Sequence, residues 1–364
     1  MVRVLSYPVG RSAPIDSADH PPAHHPLMTP AETWDDHLKD AGGHLLQSWK
    51  WGAFKQRHGW FPERILVESP SGSAMAQVLY RHRGPVSIGY VPRGPAISGD
   101  AGELWPDLRS RIDRAALWHR AIMTVVEPDR SLGLTGTFRE AGVVRGPSHV
   151  QPGRTVKVPL LDDDAILKQM HQKTRYNVRL AERRSVTIEH RDFDKESVDL
   201  FYELMVDTST RNEFGIHSYA YYDDFLKVFG DDAVLLFARV DDDNIGAVLI
   251  AAAFGNEAIY MYGASSSEHR SHGAAFLLQF EAMRWARSRG CTTYDLWGIP
   301  DVDPDSTRSE TQTTIAGTKG EDWRGLFRFK TGFGGEIVSY PTTMERRHVP
   351  ILPSIARGIS GIQA

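Results

Sequence analysis

Residues 257–299 read EAIYMYGASSSEHRSHGAAFLLQFEAMRWARSRGCTTYDLWGI and contain three predicted elements in close succession. The stretch 257–262 is rich in Ile and Tyr, which indicates a β-strand. Residues 274–289 follow helical spacing and end before Gly290, a residue type that commonly terminates helices. The stretch 292–297 then predicts a second strand. A long helix between two strands therefore dominates this part of the chain.

The elements around this stretch occur twice in the same order. Before it, helices are predicted over 162–184 and 195–210, followed by strands over 233–240 and 245–254. In the first half, strands over 63–68, 74–81 and 86–91 precede a helix over 103–122 and a strand over 123–128. This order matches an acetyltransferase-like topology, so we predict an α+β fold with two tandem GNAT (acyl-CoA N-acyltransferase)-like domains.

The domain limits follow from composition and element order. Residues 1–30 contain six prolines, which predicts an irregular N-terminal arm. We predict a first GNAT-like domain from residues 31–155 together with 341–364, and a second from residues 156–340. No long charged heptad insertion is visible, so no coiled-coil arm is expected.

Bulk composition limits the function only loosely. The 364 residues carry a formal net charge of −4, so the whole molecule is not a basic nucleic-acid binder and any such contact requires a local patch. The single cysteine, Cys291, excludes an internal disulfide framework and predicts a cytoplasmic protein. Cys291 itself is expected to be a small core residue.

Five segments carry a resemblance to a known family. They are, in chain order, QSWKWGAFK (47–55) with Trp60, HQKTRYNVRLAERRSVTIE (171–189), FYELMVDTSTRNEF (201–214), YMYGAS (260–265) with YDLWGI (294–299), and GLFRFKTGFGG (325–335). In this order they resemble the FemABX family of peptidoglycan interpeptide-bridge aminoacyltransferases, which are tRNA-dependent and GNAT-like in fold. The resemblance covers residues 40–345.

The resemblance implies a reaction and its partners. It predicts an aminoacyltransferase that moves an amino acid from aminoacyl-tRNA to the stem-peptide side-chain amine of lipid II or UDP-MurNAc-pentapeptide. Such a transfer requires no metal and no organic cofactor. The mildly amphipathic tail VPILPSIARGISGI (349–362) predicts a peripheral contact with the inner membrane face. The sequence predicts neither the amino acid transferred nor the oligomeric state.

Lys330 is the first catalytic candidate. It lies between Phe329 and Phe333, whose packing would lower the local dielectric and strengthen a contact with an oxyanion or phosphate. In the family resembled, the lysine of this motif is placed at the transfer site. An exposed lysine on a terminal helical turn is the alternative interpretation.

The remaining site candidates rest on weaker patterns. Tyr262 and Asp295 are further catalytic candidates, because a hydroxyl can donate to developing charge and a carboxylate can hold an ammonium. Strand alternation places Tyr294 and Asp295 on opposite faces, so at most one of them faces a cleft. The resemblance assigns substrate binding, including the acceptor's diphosphate, to Lys55, Arg211, Phe214, Tyr294, Phe329 and Phe333.

A basic helix is predicted to contact the donor. Arg175, Arg179 and Arg183 recur every four residues and form a stripe with Lys173 nearby. Tyr176 and Leu180 are expected to face the core. The stripe suits the phosphates of a tRNA acceptor arm, although a solvated helix face remains the alternative.

Two other functions remain open from the sequence. Residues 270–275, RSHGAA, fit the short R/Q-x-x-G-x-G/A loop with which acetyltransferases hold the coenzyme A pyrophosphate at a helix N-terminus. An acyl-CoA-dependent N-acyltransferase is therefore the main alternative. A catalytically inactive relative that only binds the precursor is the other.

Overall fold

The structure is a computed structural model that describes residues 4–7, 31–132, 142–146, 149–212, 215–301 and 323–349. The chain divides into two compact units, Met1–Gln151 with Tyr340–Ala364 (unit 1) and Pro152–Ser339 (unit 2). Each unit contains one sheet with helices packed on it, and the fold is α+β with two tandem GNAT-like domains, as predicted.

The described elements are named in chain order. The strands are β1 Val4–Tyr7, β2 Phe61–Ser69, β3 Gly72–Arg83, β4 Val86–Pro92, β5 Ala96–Gly99, β6 Ala121–Glu127, β7 Val144–Arg145, β8 Arg154–Pro159, β9 Thr187–Arg191, β10 Ala233–Arg239, β11 Ile245–Phe254, β12 Glu257–Ser265, β13 Thr293–Ile299, β14 Glu336–Ser339 and β15 Met344–Arg347. The helices are α1 Ala31–Asp40, α2 Trp49–Arg57, α3 Ala101–Trp118, α4 Asp163–Gln169, α5 Gln172–Arg183, α6 Lys195–Asn212, α7 Tyr219–Phe229, α8 Ala274–Ser288 and α9 Trp323–Thr331.

Unit 1 is built on a sheet of order β1-β2-β3-β4-β6-β15-β7, with β5 added to β3. Helix α3 begins after Asp100, whose carboxylate accepts hydrogen bonds from the Gly102 and Glu103 amides and so caps the first turn. Its buried face, which includes Leu104, Leu108 and Ile112, packs on β2 and β3.

Unit 2 is built on a sheet of order β14-β8-β13-β12-β11-β10-β9. Strand β11 is buried along most of its length because helices cover both of its faces, α8 on one and α6 on the other. The core on the α8 side contains Phe280, Met283 and Leu296 among its fully buried side chains.

Among the described residues, each unit has one parallel strand pair, and the two pairs differ in extent. In unit 1, β4 and β6 are paired from Ser87–Ala121 to Pro92–Glu127, so the pairing continues to the last residue of both strands. In unit 2, β12 and β13 pair only from Glu257–Thr293 to Ile259–Asp295, although β12 continues to Ser265 and β13 to Ile299. The two strands of unit 2 therefore part after residues 259 and 295.

Several expectations need correction or fall outside the described residues. Residues 4–7, predicted to belong to an irregular arm, form β1, which pairs with β2 from Val4–Val67 to Tyr7–Arg64. Strands β5, β7 and β15 and helix α9 were not predicted. Residues 133–141, whose sequence also predicts a short helix, lie outside the described residues, as does the chain from residue 350. Among the described residues, no helix is both long and apolar enough to cross a membrane.

Candidate functional site

The Lys330 ammonium lies where β12 and β13 part. Its Nζ donates a hydrogen bond to the Gly298 carbonyl oxygen of β13 at 2.9 Å and lies 5.4 Å from the ring centroid of Tyr260 on β12. Only 6% of the side chain surface is exposed. Helix α9 thus places a buried cation between two strands that no longer pair with each other.

Burial lowers the pKa of Lys330 to about 8, from an ordinary value of 10.5, because the charged form loses hydration. The nearby charge of Asp295 acts in the opposite direction and raises it. The ammonium is therefore protonated at neutral pH and close to titration just above it. A cation held in a low dielectric interacts strongly with any negative charge that develops beside it.

Aromatic rings pack together at the end of α9 that carries Lys330. Phe329 and Phe333 pack edge to face at 5.3 Å, and both rings contact Phe276 of α8, at 5.0 and 6.1 Å. The two phenylalanines that flank Lys330 in the sequence therefore pack with each other and with α8. Phe333 is fully buried in the core, so it offers no surface to substrate.

The glycines after Lys330 allow the segment to lie directly on its neighbours. A Cβ at Gly335 would lie 2.3 Å from the Lys157 carbonyl oxygen, and one at Gly332 would lie 2.2 Å from Thr174 Oγ1. Gly335 also has φ 85°, a left-handed backbone that favours glycine. The motif residues therefore fix α9 against β8 and the start of α5.

Asp295 organises the adjoining end of β13. Its fully buried carboxylate accepts hydrogen bonds from Thr155 Oγ1 and, at 2.7 Å, from the Trp297 amide, and it lies 3.9 Å from Lys157 Nζ. Trp297 has φ 60° and sits at an irregularity in the β13–β8 register. The Asp295–Trp297 bond thus stabilises the backbone turn that presents the Gly298 carbonyl to Lys330.

The two tyrosines of β12 lie in different environments. A register shift next to Met261 breaks the alternation, so Tyr260 packs with the α8-side core near Lys330. Tyr262 instead contacts α7, with ring centroids 5.1 Å from Tyr222 and 5.6 Å from Phe225. Burial raises the pKa of both hydroxyls, that of Tyr260 to about 12. Tyr262 is the predicted catalytic candidate, whereas the tyrosine beside Lys330 is Tyr260.

Tyr294 has a structural position. It is fully buried, and its hydroxyl donates to Gln279 Oε1 of α8 at 2.9 Å. Its placement opposite to Asp295 follows the expected alternation, and it favours a packing role over the predicted contact with substrate.

Arg211 lies at the end of α6 and donates to the Ser265 carbonyl oxygen at 3.0 Å. Its side chain is exposed, and the bond ties the end of α6 to the end of β12. Phe214, the other substrate-binding candidate of this segment, lies outside the described residues.

In unit 1, Lys55 forms a second desolvated cationic site. Its Nζ lies 5.4 Å from the ring centroid of Trp51 and 5.7 Å from that of Trp60. The Arg81 guanidinium also lies over Trp60, at 5.3 Å. Burial, with a smaller contribution from Arg81, lowers the pKa of Lys55 to about 8. Two cations converging on one indole form an arrangement suited to an anion, and Arg81 was not selected from the sequence.

The basic helix α5 is oriented differently from the prediction. Thr174, Val178 and Ala181 face the core, whereas Tyr176 is 55% exposed and Leu180 half-buried. The expectation that Tyr176 faces the core is therefore wrong, because the buried face of α5 is the one that carries Thr174, Val178 and Ala181.

The cations of α5 divide into two roles. Arg175 donates to the carbonyl oxygens of Leu167, Lys168 and Met170, and so caps the end of α4. Lys173, Arg179 and Arg183 are exposed, and the Arg183 guanidinium lies 5.6 Å from the Tyr176 ring. An exposed face of three cations and one aromatic ring remains.

The loop considered for coenzyme A binding lies directly before α8. Gly273 has φ 72° and precedes α8 without a side-chain cap. Arg184, which follows α5, donates a hydrogen bond to the Ser271 carbonyl oxygen in the same loop.

Cys291 is buried in the core, and burial raises the pKa of its thiol to about 11, so it stays protonated at neutral pH. The thiol is therefore placed as a core residue rather than a nucleophile.

Comparison with known proteins connects this geometry to a family. The sequence model of the FemAB family matches residues 147–249 and 243–352. The lipid II:glycine glycyltransferases of Staphylococcus aureus and Staphylococcus epidermidis are 25% identical to the chain, over alignments that cover 80% of it and 85% of theirs. The crystal structure of FemX is similar with a TM-score of 0.76 and 21% identity, over 93% of this chain and 99% of that one.

Proposed function

Because the chain belongs to the FemAB family, we propose that it transfers an amino acid from aminoacyl-tRNA to the stem-peptide amine of a peptidoglycan precursor. The similar staphylococcal enzymes are named as glycyltransferases acting on lipid II, which supports a precursor of that class as the acceptor. The observation that carries the proposal is the buried Lys330 ammonium at the point where β12 and β13 part.

The reaction needs charge stabilisation more than a nucleophilic residue. The acceptor amine attacks the ester carbonyl carbon of the aminoacyl-tRNA, and the new C–N bond forms as the carbonyl oxygen becomes an oxyanion. The ester C–O bond then breaks, and the ribose hydroxyl leaves with a proton equivalent to the one that the amine loses. We assign to the Lys330 ammonium the hydrogen bond to the oxyanion, since its charge is desolvated and its Nζ is held by the Gly298 carbonyl oxygen.

We assign the residues that hold the two substrates by matching cationic side chains to the substrates' phosphates. Lys55 and Arg81 in unit 1 are assigned to the acceptor's diphosphate, because two partly desolvated cations favour a multiply charged anion. The exposed cations of α5 are assigned to the donor's phosphates. Arg175 is left out of that set, since its guanidinium caps α4.

The proposal is tested by a transfer assay with charged tRNA. tRNA carrying a labelled amino acid is incubated with the protein and either lipid II or UDP-MurNAc-pentapeptide, using several amino acids in turn. Label should appear on the precursor. Label that appears only when an acyl-CoA replaces the tRNA would support the coenzyme A alternative. Binding of the precursor without turnover from either donor would indicate the inactive relative.

The assignment of α5 to the donor gives a separate prediction. The double substitution Arg179→Glu and Arg183→Glu should raise KM for aminoacyl-tRNA by roughly tenfold or more at low salt, with little change in kcat. The rate should also depend less steeply on salt concentration. Kinetics at two salt concentrations measure both effects.

Lys195→Glu with Lys227→Glu is the matched control for the charge change, since it also reverses two cations. Both lysines are exposed and paired, Lys195 with Asp199 on α6 and Lys227 with Asp223 on α7, so their reversal alters surface charge outside α5. An equal rise in KM for this control, or no rise for the α5 double variant, would contradict the assignment of α5 to the donor.

A further inference from the structure

One end of unit 1 exposes three large apolar side chains. Leu117 and Trp118, the last residues of α3, are 72% and 81% exposed, and Phe61 at the start of β2 is 45% exposed. Side chains this exposed at a helix end project into solvent and contribute little to the core. None of them has a role in the transfer chemistry described above.

Backbone and ring contacts hold these residues around one edge. The Ser87 amide donates to the Arg120 carbonyl oxygen at 3.0 Å, and Ser87 Oγ donates to the His119 carbonyl oxygen at 2.7 Å. These bonds join the end of α3 to the β3–β4 hairpin. The Phe61 ring contacts His82 at 5.0 Å, and His82 lies 5.7 Å from His119. We name Phe61, Leu117 and Trp118 with their surrounding side chains the α3 tip.

The charge of the α3 tip is positive although the chain is acidic. Arg114 is exposed and precedes Leu117 by three residues and Trp118 by four, so it shares their face of the helix. Arg83 at the hairpin and Arg120 after the helix are exposed as well. Of the nearby carboxylates, Glu63 contacts His119 at this edge, and Asp113 is paired with Arg346.

We propose that the α3 tip docks on an anionic lipid bilayer. Trp prefers the headgroup level of a membrane, Leu and Phe gain by entering the acyl boundary, and arginines are attracted to anionic lipid. A stable protein interface commonly buries about 800 Å² on each partner, whereas three projecting side chains ringed by arginines match a shallow insertion. The occupant is therefore a membrane surface rather than a second protein.

The position of the α3 tip also bears on the acceptor, and this step rests on the proposed function. Arg81 and His82 are consecutive in β3, so they lie on opposite faces of the same sheet end. The Lys55–Arg81 site is therefore at the same end of unit 1 as the α3 tip. A lipid-linked precursor carries its diphosphate at the membrane surface, and docking by the α3 tip would bring that site to it.

Vesicle binding tests the proposal directly. The intact protein should co-sediment with vesicles of phosphatidylethanolamine and phosphatidylglycerol, and much less with phosphatidylcholine alone. Leu117→Ser with Trp118→Ser should weaken binding roughly tenfold, as should Arg83→Glu with Arg114→Glu. Val206→Ser is the matched control, because Val206 is 38% exposed on α6 beside the exposed Glu203 and Asp207.

The transfer assay separates this proposal from the proposed function. The Leu117→Ser, Trp118→Ser variant should keep its rate on UDP-MurNAc-pentapeptide and lose most of it on lipid II in vesicles. If the intact protein does not bind anionic vesicles, or if both double variants bind as it does, the docking proposal is overturned. If vesicle binding follows the variants as expected but no acceptor is modified, the docking surface stands and the proposed function fails.

Discussion

Replacement of Lys330 by methionine is expected to slow amino-acid transfer by about 10²- to 10³-fold. Methionine keeps most of the lysine's volume and its apolar stem, but it removes the positive charge that lies between Gly298 of β13 and Tyr260 of β12. The loss should appear in kcat, because an oxyanion forms only after both substrates are bound. Single-turnover transfer from labelled aminoacyl-tRNA measures it.

The same substitution should leave the fold stable or make it more so. A lysine whose pKa falls from 10.5 to about 8 on folding costs on the order of 3 kcal/mol of stability below pH 8. That cost is relieved as the pH rises from 8 to 10.5, so the gain in the free energy of unfolding for Lys330→Met should shrink over that range. Loss of the bond to Gly298 offsets part of the gain.

Lys227→Met is the matched control, since Lys227 is exposed on α7 and paired with Asp223. It should change neither the rate nor the pH dependence of unfolding. A Lys330→Met protein that is folded and transfers at the rate of the original chain would overturn the assigned role.

Asp295→Asn is expected to move the alkaline limit of activity to lower pH. Transfer that needs protonated Lys330 should decline above pH 8, where the ammonium titrates. The Asp295 charge raises the pKa of Lys330, so its removal should shift the decline by roughly one pH unit and cost about fivefold in rate near pH 8. A profile of rate against pH measures the shift.

Asp295 acts here as a positioning residue, and asparagine retains an acceptor for the Trp297 amide. Glu257→Gln is the control, because Glu257 is the other carboxylate bonded to Lys157. The control should leave the alkaline limit in place. An unchanged limit in Asp295→Asn would show that the carboxylate supports the backbone alone.

Much of the fold was predictable because long elements carry strong patterns. The 245–254 strand has the bounds of β11, and the 162–184 helix corresponds to α4 and α5. Short strands such as β15 were missed because four residues, MERR, carry no apolar pattern, and their pairing with β6 and β7 makes them a strand. The start of the chain was misread for a related reason, since β1 depends on β2.

The sequence predicts Lys330 as a site residue but does not predict which tyrosine lies beside it. Lys330 stood out because two phenylalanines flank it in the sequence. Tyr260 did not, because the register shift next to Met261 reverses which tyrosine reaches the lysine, and alternation alone cannot reveal a bulge. Tyr176 was misassigned because an exposed aromatic ring at helical spacing looks the same in sequence as a buried one.

The unequal parallel pairs of the two units affect how many reactions one chain can support. The β4–β6 pair continues to the last residue of both strands, whereas the β12–β13 pair stops before the ends of its strands. The two units therefore share a parallel pair, and only the pair of unit 2 is open at that end. A tight-binding mimic of the tetrahedral intermediate should therefore saturate the protein at one molecule per chain. Substitutions that damage the opening between β12 and β13 should not be compensated by the β4–β6 pair of unit 1.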